Sequence, residues 1–435
     1  MCDEKKEKKK KETGLGLSVK KDENFGEWYS QVVVNGELIN YDGKIAGCYV
    51  LRPSAVSVWR TMKDFFEAEI EKMEVEEYKF PMFISDSNLQ KEKDHLQDFA
   101  PEEGHTAFAT KEEADAEVLQ ILELYRRIYE EFLAVPVVKG QKTEKETFPG
   151  ADYTTSIEAF IPEAGRGIQG ATSHSLGHNF AKPEMFDIKF QDAKGETKMV
   201  WQNSWGYSIR TIGVMVMVHG DDKGLVIPPR VAKYKAVVVP VPSKDAADVR
   251  GIFDACAATA KALENAGVKR VKIDLKDNYS PGWKYSRYEL LGVPLRIEIG
   301  RNELAKQQVC CVRRDNNSKS YVKRDEGLAE EVKKLLDDIQ QSMFDAAKKK
   351  RDACVQVVKT WDEFKAALAQ KKMILAPWCD EEEVEKEIKE RIKDEEGGTV
   401  KSLCTPFEQP ELHEGTLCFA TGKPAKKWTY WGRSF

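Results

Sequence analysis

The stretch from residue 165 to residue 180 reads GRGIQGATSHSLGHNF, and residues 203–232 read NSWGYSIRTIGVMVMVHGDDKGLVIPPRVA. Polar side chains and glycines are interspersed in both segments, and glycine lets a backbone approach a ligand closely. Ser208 at the start and Gly220 at the end favour a short buried helix for the apolar run between them, although periodicity alone also allows a strand. Arg210 beside a helix N-terminus suits a polyphosphate, because guanidinium and backbone N–H groups both favour anions.

Two motifs in these segments resemble the prolyl-tRNA synthetase family of eukaryote-like type, which are class II aminoacyl-tRNA ligases. IQGATSH at 168–174 resembles the adenylate and proline pocket of that family, and WGYSIRTIG at 205–213 resembles class II motif 3. The alternative is a pair of buried Gly-rich strands with incidental polar residues. The resemblance implies ATP-dependent activation of L-proline to prolyl-adenylate, with Mg²⁺, and transfer of the prolyl group to tRNA(Pro).

The resemblance also implies a role for individual residues. Arg210 and Gln169 are the expected catalytic residues, and both are expected to bind ATP together with Thr172 and Ser208. The expected proline-binding residues lie in two segments and are Phe99, Glu102, Glu103, His105 and His174.

The resemblance implies an α+β fold with several domains. We expect a basic disordered tail at 1–24 and a shortened class II antiparallel-sheet catalytic domain at 25–232. An α/β anticodon-binding domain at 233–350 and a small α+β C-terminal domain at 351–435 should follow. A helix over 54–73 leading into a strand over 78–84 resembles class II motif 1, which implies a homodimer interface in the Ser54–Ile84 region. On pattern alone, a core helix against an ordinary edge strand is the default.

Local sequence signals in the rest of the chain predict further elements. Thr110 and Glu113 fit a capping box that begins a helix over 111–134, and 285–291 reads as a short helix. Single-stranded RNA is recognised by aromatic stacking and by cations. The residues expected to be exposed and to bind tRNA in this way are Trp283, Lys284, Arg287 and Arg296. For Trp283, a Trp that covers a core is the competing interpretation.

Charge and composition limit the class of protein. A net charge of −5 gives no overall attraction to nucleic acid, so RNA contacts must come from local basic patches. No long uncharged apolar run is present, which predicts no membrane span. Nine scattered cysteines and a charged start without an apolar segment favour a cytoplasmic protein with reduced thiols.

The last domain departs from the pattern of the family that it resembles, in which four cysteines hold zinc. Cys379 and Cys418 occupy two of those positions, and Val384 and Ala420 occupy the others. Two thiols cannot complete a closed tetrahedral site, so we predict no zinc. His174 and His178 lack the further ligands that a metal site needs, and we predict no metal there either.

The largest departure lies between Glu102 and Glu103. In the family, the segments that end and begin at these residues are separated by a long segment with the proline loop and class II motif 2, including the arginine that binds the α-phosphate. Loss of this whole segment predicts a badly impaired proline–tRNA ligase. The alternatives are a non-catalytic tRNA-binding paralogue, a truncated isoform, or a chain that folds only in part.

Overall fold

The computed structural model describes residues 15–41, 48–79, 102–242, 246–393 and 399–435. The chain forms two compact units, Met1–Val58 with His219–Met343 and Trp59–Val218 with Phe344–Phe435. Phe99 and most of the strand predicted at 78–84 lie outside the described residues. Tyr78 and Lys79, which are described, lie outside any strand, so the prediction is wrong for these two.

The helices and strands are numbered in chain order. The α-helices are α1 (Phe25–Asn35), α2 (Pro53–Glu71), α3 (Lys111–Arg127), α4 (Arg210–His219), α5 (Ala246–Asn265), α6 (Pro281–Leu290), α7 (Arg301–Ala305), α8 (Leu328–Cys354), α9 (Trp361–Ala369) and α10 (Glu382–Ile392). The strands are β1 (Ile39–Tyr41), β2 (Tyr49–Leu51), β3 (Glu102–Phe108), β4 (Val138–Gln141), β5 (Tyr153–Ile161), β6 (Arg166–Gly177), β7 (Lys189–Gln191), β8 (Thr197–Met199), β9 (Trp201–Tyr207), β10 (Ala236–Val241), β11 (Val271–Ile273), β12 (Leu295–Gly300), β13 (Gln308–Arg313), β14 (Lys319–Lys323), β15 (Val355–Val357), β16 (Met373–Trp378), β17 (Val400–Pro406) and β18 (Lys427–Ser434).

The unit that contains residues 59–218 and 344–435 is built on a nine-stranded sheet. Its strand order is β15-β16-β18-β17-β4-β5-β6-β9-β3, and most neighbours are antiparallel. The sheet therefore joins strands of the predicted catalytic and C-terminal domains, and β3 is its last described strand. The domain bounds given above stay a prediction.

Helix α3 covers one face of this sheet. The predicted capping box is confirmed, since the side chains of Thr110 and Glu113 each accept the other residue's backbone N–H. The predicted helix is wrong at its end, because α3 changes at Ile128 into a π-helix, Ile128–Phe132. This wider turn carries Tyr129, whose hydroxyl lies 3.1 Å from the carbonyl oxygen of Gly170.

The other unit contains a five-stranded sheet in the order β11-β10-β12-β13-β14, in which β10 is parallel to both neighbours. The short helix predicted at 285–291 begins earlier, as α6. Ser280 caps it by accepting the N–H of Trp283, and Pro281 fits the first turn because its missing N–H is not needed there.

Part of the predicted disordered tail is packed. Lys21 is buried, and its ammonium donates to the carbonyl oxygen of Gly220 at 3.0 Å while its backbone N–H donates to Asp222 Oδ1. Its charge also lies over the Trp28 ring. The prediction is therefore wrong around Lys21, because this lysine satisfies polar groups rather than facing solvent.

Candidate functional site

The strand register brings most of the predicted site residues of the nine-stranded sheet into consecutive rows. Thr172 on β6 pairs with Ser156 on β5 and with Gly206 on β9, and Gly206 pairs with Glu103 on β3. Directly opposed residues of neighbouring strands share a face of the sheet. Glu103 and Thr172 therefore lie on one face with only a glycine between them.

The next row, two residues along each strand, contains the two histidines of the predicted proline site. His174 pairs with Thr154 and Ser204, and Ser204 pairs with His105. Since side chains alternate along a strand, this row shares a face with the first. His105 and Glu103 are exposed and form an ion pair at 3.2 Å if His105 is protonated.

His174 is fixed by its neighbours. Its Nδ1 lies 2.8 Å from the hydroxyl oxygen of Thr154, which accepts the backbone N–H of Phe148, and the Phe148 ring lies beside the imidazole. Burial lowers the pKa of His174 to about 4; Glu103 opposes this shift and His105 adds to it. The imidazole is therefore neutral at physiological pH and serves as a hydrogen-bonding group.

The depressed pKa of His174 predicts a pH-dependent loss of stability. Below pH 6.5 the unfolded chain binds a proton at this residue, whereas the native chain excludes it until about pH 4. At about 1.4 kcal/mol per pH unit, acidification from pH 7 to 4.5 should cost the native protein about 2 kcal/mol more than it costs His174→Gln. Urea unfolding at both pH values measures this difference. Parallel losses in the two proteins would contradict the shift.

Gln169 and Arg210 lie outside the two rows described above. Gln169 is exposed and pairs with Glu158 across β5, beside a β-bulge. Arg210 is the exposed first residue of α4, and its N–H donates to Ser208 Oγ at 3.3 Å, which supports the predicted start of this helix. Glu102 pairs with Tyr207, next to the Glu103 row.

Tyr129 lies in the helix predicted at 111–134, and its hydroxyl links the two segments that are predicted to bind ATP. It lies 3.1 Å from the Gly170 carbonyl oxygen and 3.3 Å from Thr211 Oγ1. Gly170 follows Gln169, and Thr211 follows Arg210. A tyrosine at a helical apolar position gives no sequence signal for this contact.

The residues predicted to bind tRNA lie in the other unit and differ in exposure. Trp283 and Arg287 line a cavity of about 520 Å³, which also contains Tyr279 stacked on Trp283 with ring centroids 3.8 Å apart. The cations that line it further are Lys233, Lys272 and Lys276. Arg287 is partly exposed and pairs with Glu37 at 2.6 Å.

Lys284 and Arg296 correct the prediction of exposed cations. Lys284 is buried, and its ammonium donates to the carbonyl oxygen of Asp274, because α6 begins early enough to turn it inwards beside Tyr288. Arg296 is 11% exposed, pairs with two glutamates and covers the ring of Tyr285. Neither is an exposed phosphate contact.

The positions discussed for zinc lie together. Cys379, Val384 and Cys418 are buried in one hydrophobic cluster, and Ala420 packs against it. Burial raises the pKa of Cys379 to about 11, with Cys418 as a further cause. Two thiols beside two apolar side chains supply only two of the four ligands that a closed Zn²⁺ site needs. Within the described ranges, no group of three or more potential metal ligands is present.

Comparisons with known proteins bear on both units. Residues 235–335 match the family model of an anticodon-binding domain, and residues 361–435 match that of the prolyl-tRNA synthetase C-terminal domain. The chain is 57% identical to the cytoplasmic proline–tRNA ligase of Arabidopsis thaliana over 502 positions, which cover 99% of this chain and 93% of that protein. The chain belongs to the prolyl-tRNA synthetase family.

Other members of the prolyl-tRNA synthetase family are also similar to this chain. The proline–tRNA ligase of Encephalitozoon cuniculi is 39% identical, with 97% of this chain and 99% of that protein covered. The bifunctional glutamate/proline–tRNA ligase of Mus musculus is 42% identical over 98% of this chain, which spans only 33% of that longer protein. None of the helices in the described part of this family member has the length and apolar character needed to span a membrane.

Proposed function

We propose that this family member retains the rows of a proline and ATP site but is a badly impaired proline–tRNA ligase. The observation that carries the proposal is one face of the nine-stranded sheet, where Glu103, His105, Thr172 and His174 lie in two adjacent rows. Support for the impairment comes from the alignment with the Arabidopsis protein, whose 502 positions exceed the 435 residues of this chain. The relative therefore carries residues that this chain lacks.

The reaction requires positioning and charge stabilisation rather than a covalent enzyme intermediate. The carboxylate of L-proline attacks the α-phosphorus of ATP, the bond to pyrophosphate breaks, and prolyl-adenylate forms. A ribose hydroxyl of tRNA(Pro) then takes the prolyl group and AMP leaves. ATP binds as its Mg²⁺ complex, with Gln169, Thr172, Ser208 and Arg210 as its contacts, and neutral His174 contacts proline. Activity requires in addition a cation at the α-phosphate, which the segment missing beside Glu103 supplies in the family.

The second candidate is a protein that binds tRNA without charging it. The cavity beside Trp283 favours it, because aromatic rings and lysines around a concave surface suit unstacked bases and phosphates. The first proposal includes a homodimer through the Ser54–Ile84 region, a cytoplasmic location and the absence of zinc.

Two assays on the unaltered chain separate the candidates. An impaired ligase should show weak ATP–pyrophosphate exchange that depends on proline, a protein that only binds tRNA should show none, and filter binding should detect tRNA(Pro) with either. Exchange at the rate of an intact family member would overturn the impairment. Absence of both exchange and tRNA binding would contradict both candidates. Sequencing the transcript across codons 102 and 103 would establish whether the family segment is missing there in the organism.

A further inference from the structure

A buried ion pair lies beside the proposed ATP site. The ammonium of Lys142 lies 2.6 Å from Glu158 Oε1, and the two side chains are 6% and 1% exposed. Lys142 also donates to the carbonyl oxygen of Leu403 at 2.7 Å, and Ser156 Oγ donates to the same Glu158 oxygen at 2.8 Å. Desolvation of a buried ion pair commonly offsets its attraction, so stability alone is a poor reason for placing charges here.

Glu158 lies where β5 and β6 are irregular. The register shifts between Ile157 and Glu158, so that Glu158 pairs with Gln169 and Gly170 is left without a direct partner. Bulges of this kind redirect side chains and commonly lie beside active sites. A Cβ on Gly170 would lie 2.9 Å from the Tyr129 ring, which packs on the helix side, whereas Gln169 is exposed. The bulge therefore determines the direction of the Gln169 side chain.

The C-terminal strand β17 contacts Lys142, the cation of this ion pair. Leu403 belongs to β17, which pairs with β4 immediately before Lys142. Next to this contact, the hydroxyls of Thr143 and Ser402 lie 3.2 Å apart. Farther along the same junction, the ammonium of Lys389 lies 2.7 Å from Glu146 and 3.3 Å from the buried Glu385. Lys142 is thus the cation that connects β17 to the bulge.

We infer that Lys142 is a positioning residue for the ATP site. Its ammonium, held by the β17 carbonyl, fixes Glu158 and the bulge, and the fixed bulge presents Gln169 to the nucleotide. The C-terminal strands thereby take part in shaping the ATP site. The inference rests on the ATP site proposed above, and its test includes a measurement that needs no nucleotide.

The test compares the double variant Lys142→Met/Glu158→Gln with the matched control Lys389→Met/Glu385→Gln, which neutralises another buried ion pair at the same junction. The double variant leaves no unpaired buried charge, so a purely stabilising pair would be replaced without local consequence. We expect amides 168–172 of the nucleotide-free double variant to exchange hydrogen at least about tenfold faster than in the unaltered chain, a local opening of the sheet. The Kd for ATP, measured by calorimetry well below the melting temperature, should rise about tenfold. Lys389→Met/Glu385→Gln should change neither quantity.

The outcomes distinguish the positioning role of Lys142 from the proposed ATP site. Unchanged exchange at 168–172 in the folded double variant overturns the positioning role. Faster exchange in a chain that does not bind ATP leaves the positioning role standing and refutes the ATP site. If the double variant does not fold, Ser156→Ala removes one contact of Glu158 without altering charge. It should accelerate exchange at the same amides, and unchanged amides in this variant would likewise overturn the inference.

Discussion

Insertion between Glu102 and Glu103 of the segment that the family resemblance predicts there should raise proline-dependent ATP–pyrophosphate exchange by at least about 10³-fold. Loss of one transition-state hydrogen-bond donor typically costs about 10² to 10³ in rate, and the family segment contains the α-phosphate arginine and the proline loop as well. The residues proposed to bind proline and ATP adjoin the insertion point. Glu103 begins the row that contains Thr172, and the next row contains His105 and His174. Initial rates of exchange at saturating proline and ATP measure the effect.

Two controls test whether the restored exchange activity uses the proposed proline and ATP site. A Gly/Ser linker of the same length should leave exchange at the level of the unaltered chain, because it supplies neither a cation nor strands. Arg210→Ala in the restored chain should lower exchange by about 10² or more, since Arg210 is the exposed guanidinium at the start of α4. Restoration by the linker, or an indifferent Arg210→Ala, would contradict the proposed roles.

Local sequence signals were sufficient for several elements. The capping box at Thr110 and Glu113 begins α3 as predicted, and the apolar run after Ser208 forms α4. In both cases the decisive interactions join residues close in sequence. The exposure of Lys284 was wrong because it depends on where α6 begins and on Asp274, ten residues away. An isolated helix pattern contains no information about that partner.

The arrangement of the site was less predictable than its residues. The motifs singled out Gln169, Thr172 and His174, but strand register places Thr172 and His174 in the rows of Glu103 and His105, and a β-bulge places Gln169 opposite Glu158. The side chains that support them carry no motif. Lys142 reads as an ordinary surface lysine, and it is buried only because Glu158 and the Leu403 carbonyl, 261 residues away, meet there.

The pair of cysteines Cys379 and Cys418 gives the second large expected effect. Cys379, Val384 and Cys418 share one hydrophobic cluster, with Ala420 packed against it, so four positions that resemble a zinc site are close in space. Val384→Cys/Ala420→Cys supplies the two missing thiolates. We expect the double variant to bind one Zn²⁺ with an apparent free energy on the order of 10 kcal/mol at pH 7, as in structural zinc sites. Metal content after gel filtration, and thermal unfolding with and without a chelator, measure it.

The unaltered chain and the two single variants are the matched controls, because they differ only in the number of thiols. The unaltered chain should carry no stoichiometric zinc, since its two thiols leave half of a tetrahedral shell unfilled. The single variants, with three thiols, should bind far more weakly than the double variant and gain little thermal stability from zinc. Stoichiometric, chelator-sensitive zinc in the unaltered chain would show that other groups complete the shell. A double variant that folds but binds no zinc would show that these four positions do not converge as the packing of Val384 and Ala420 indicates.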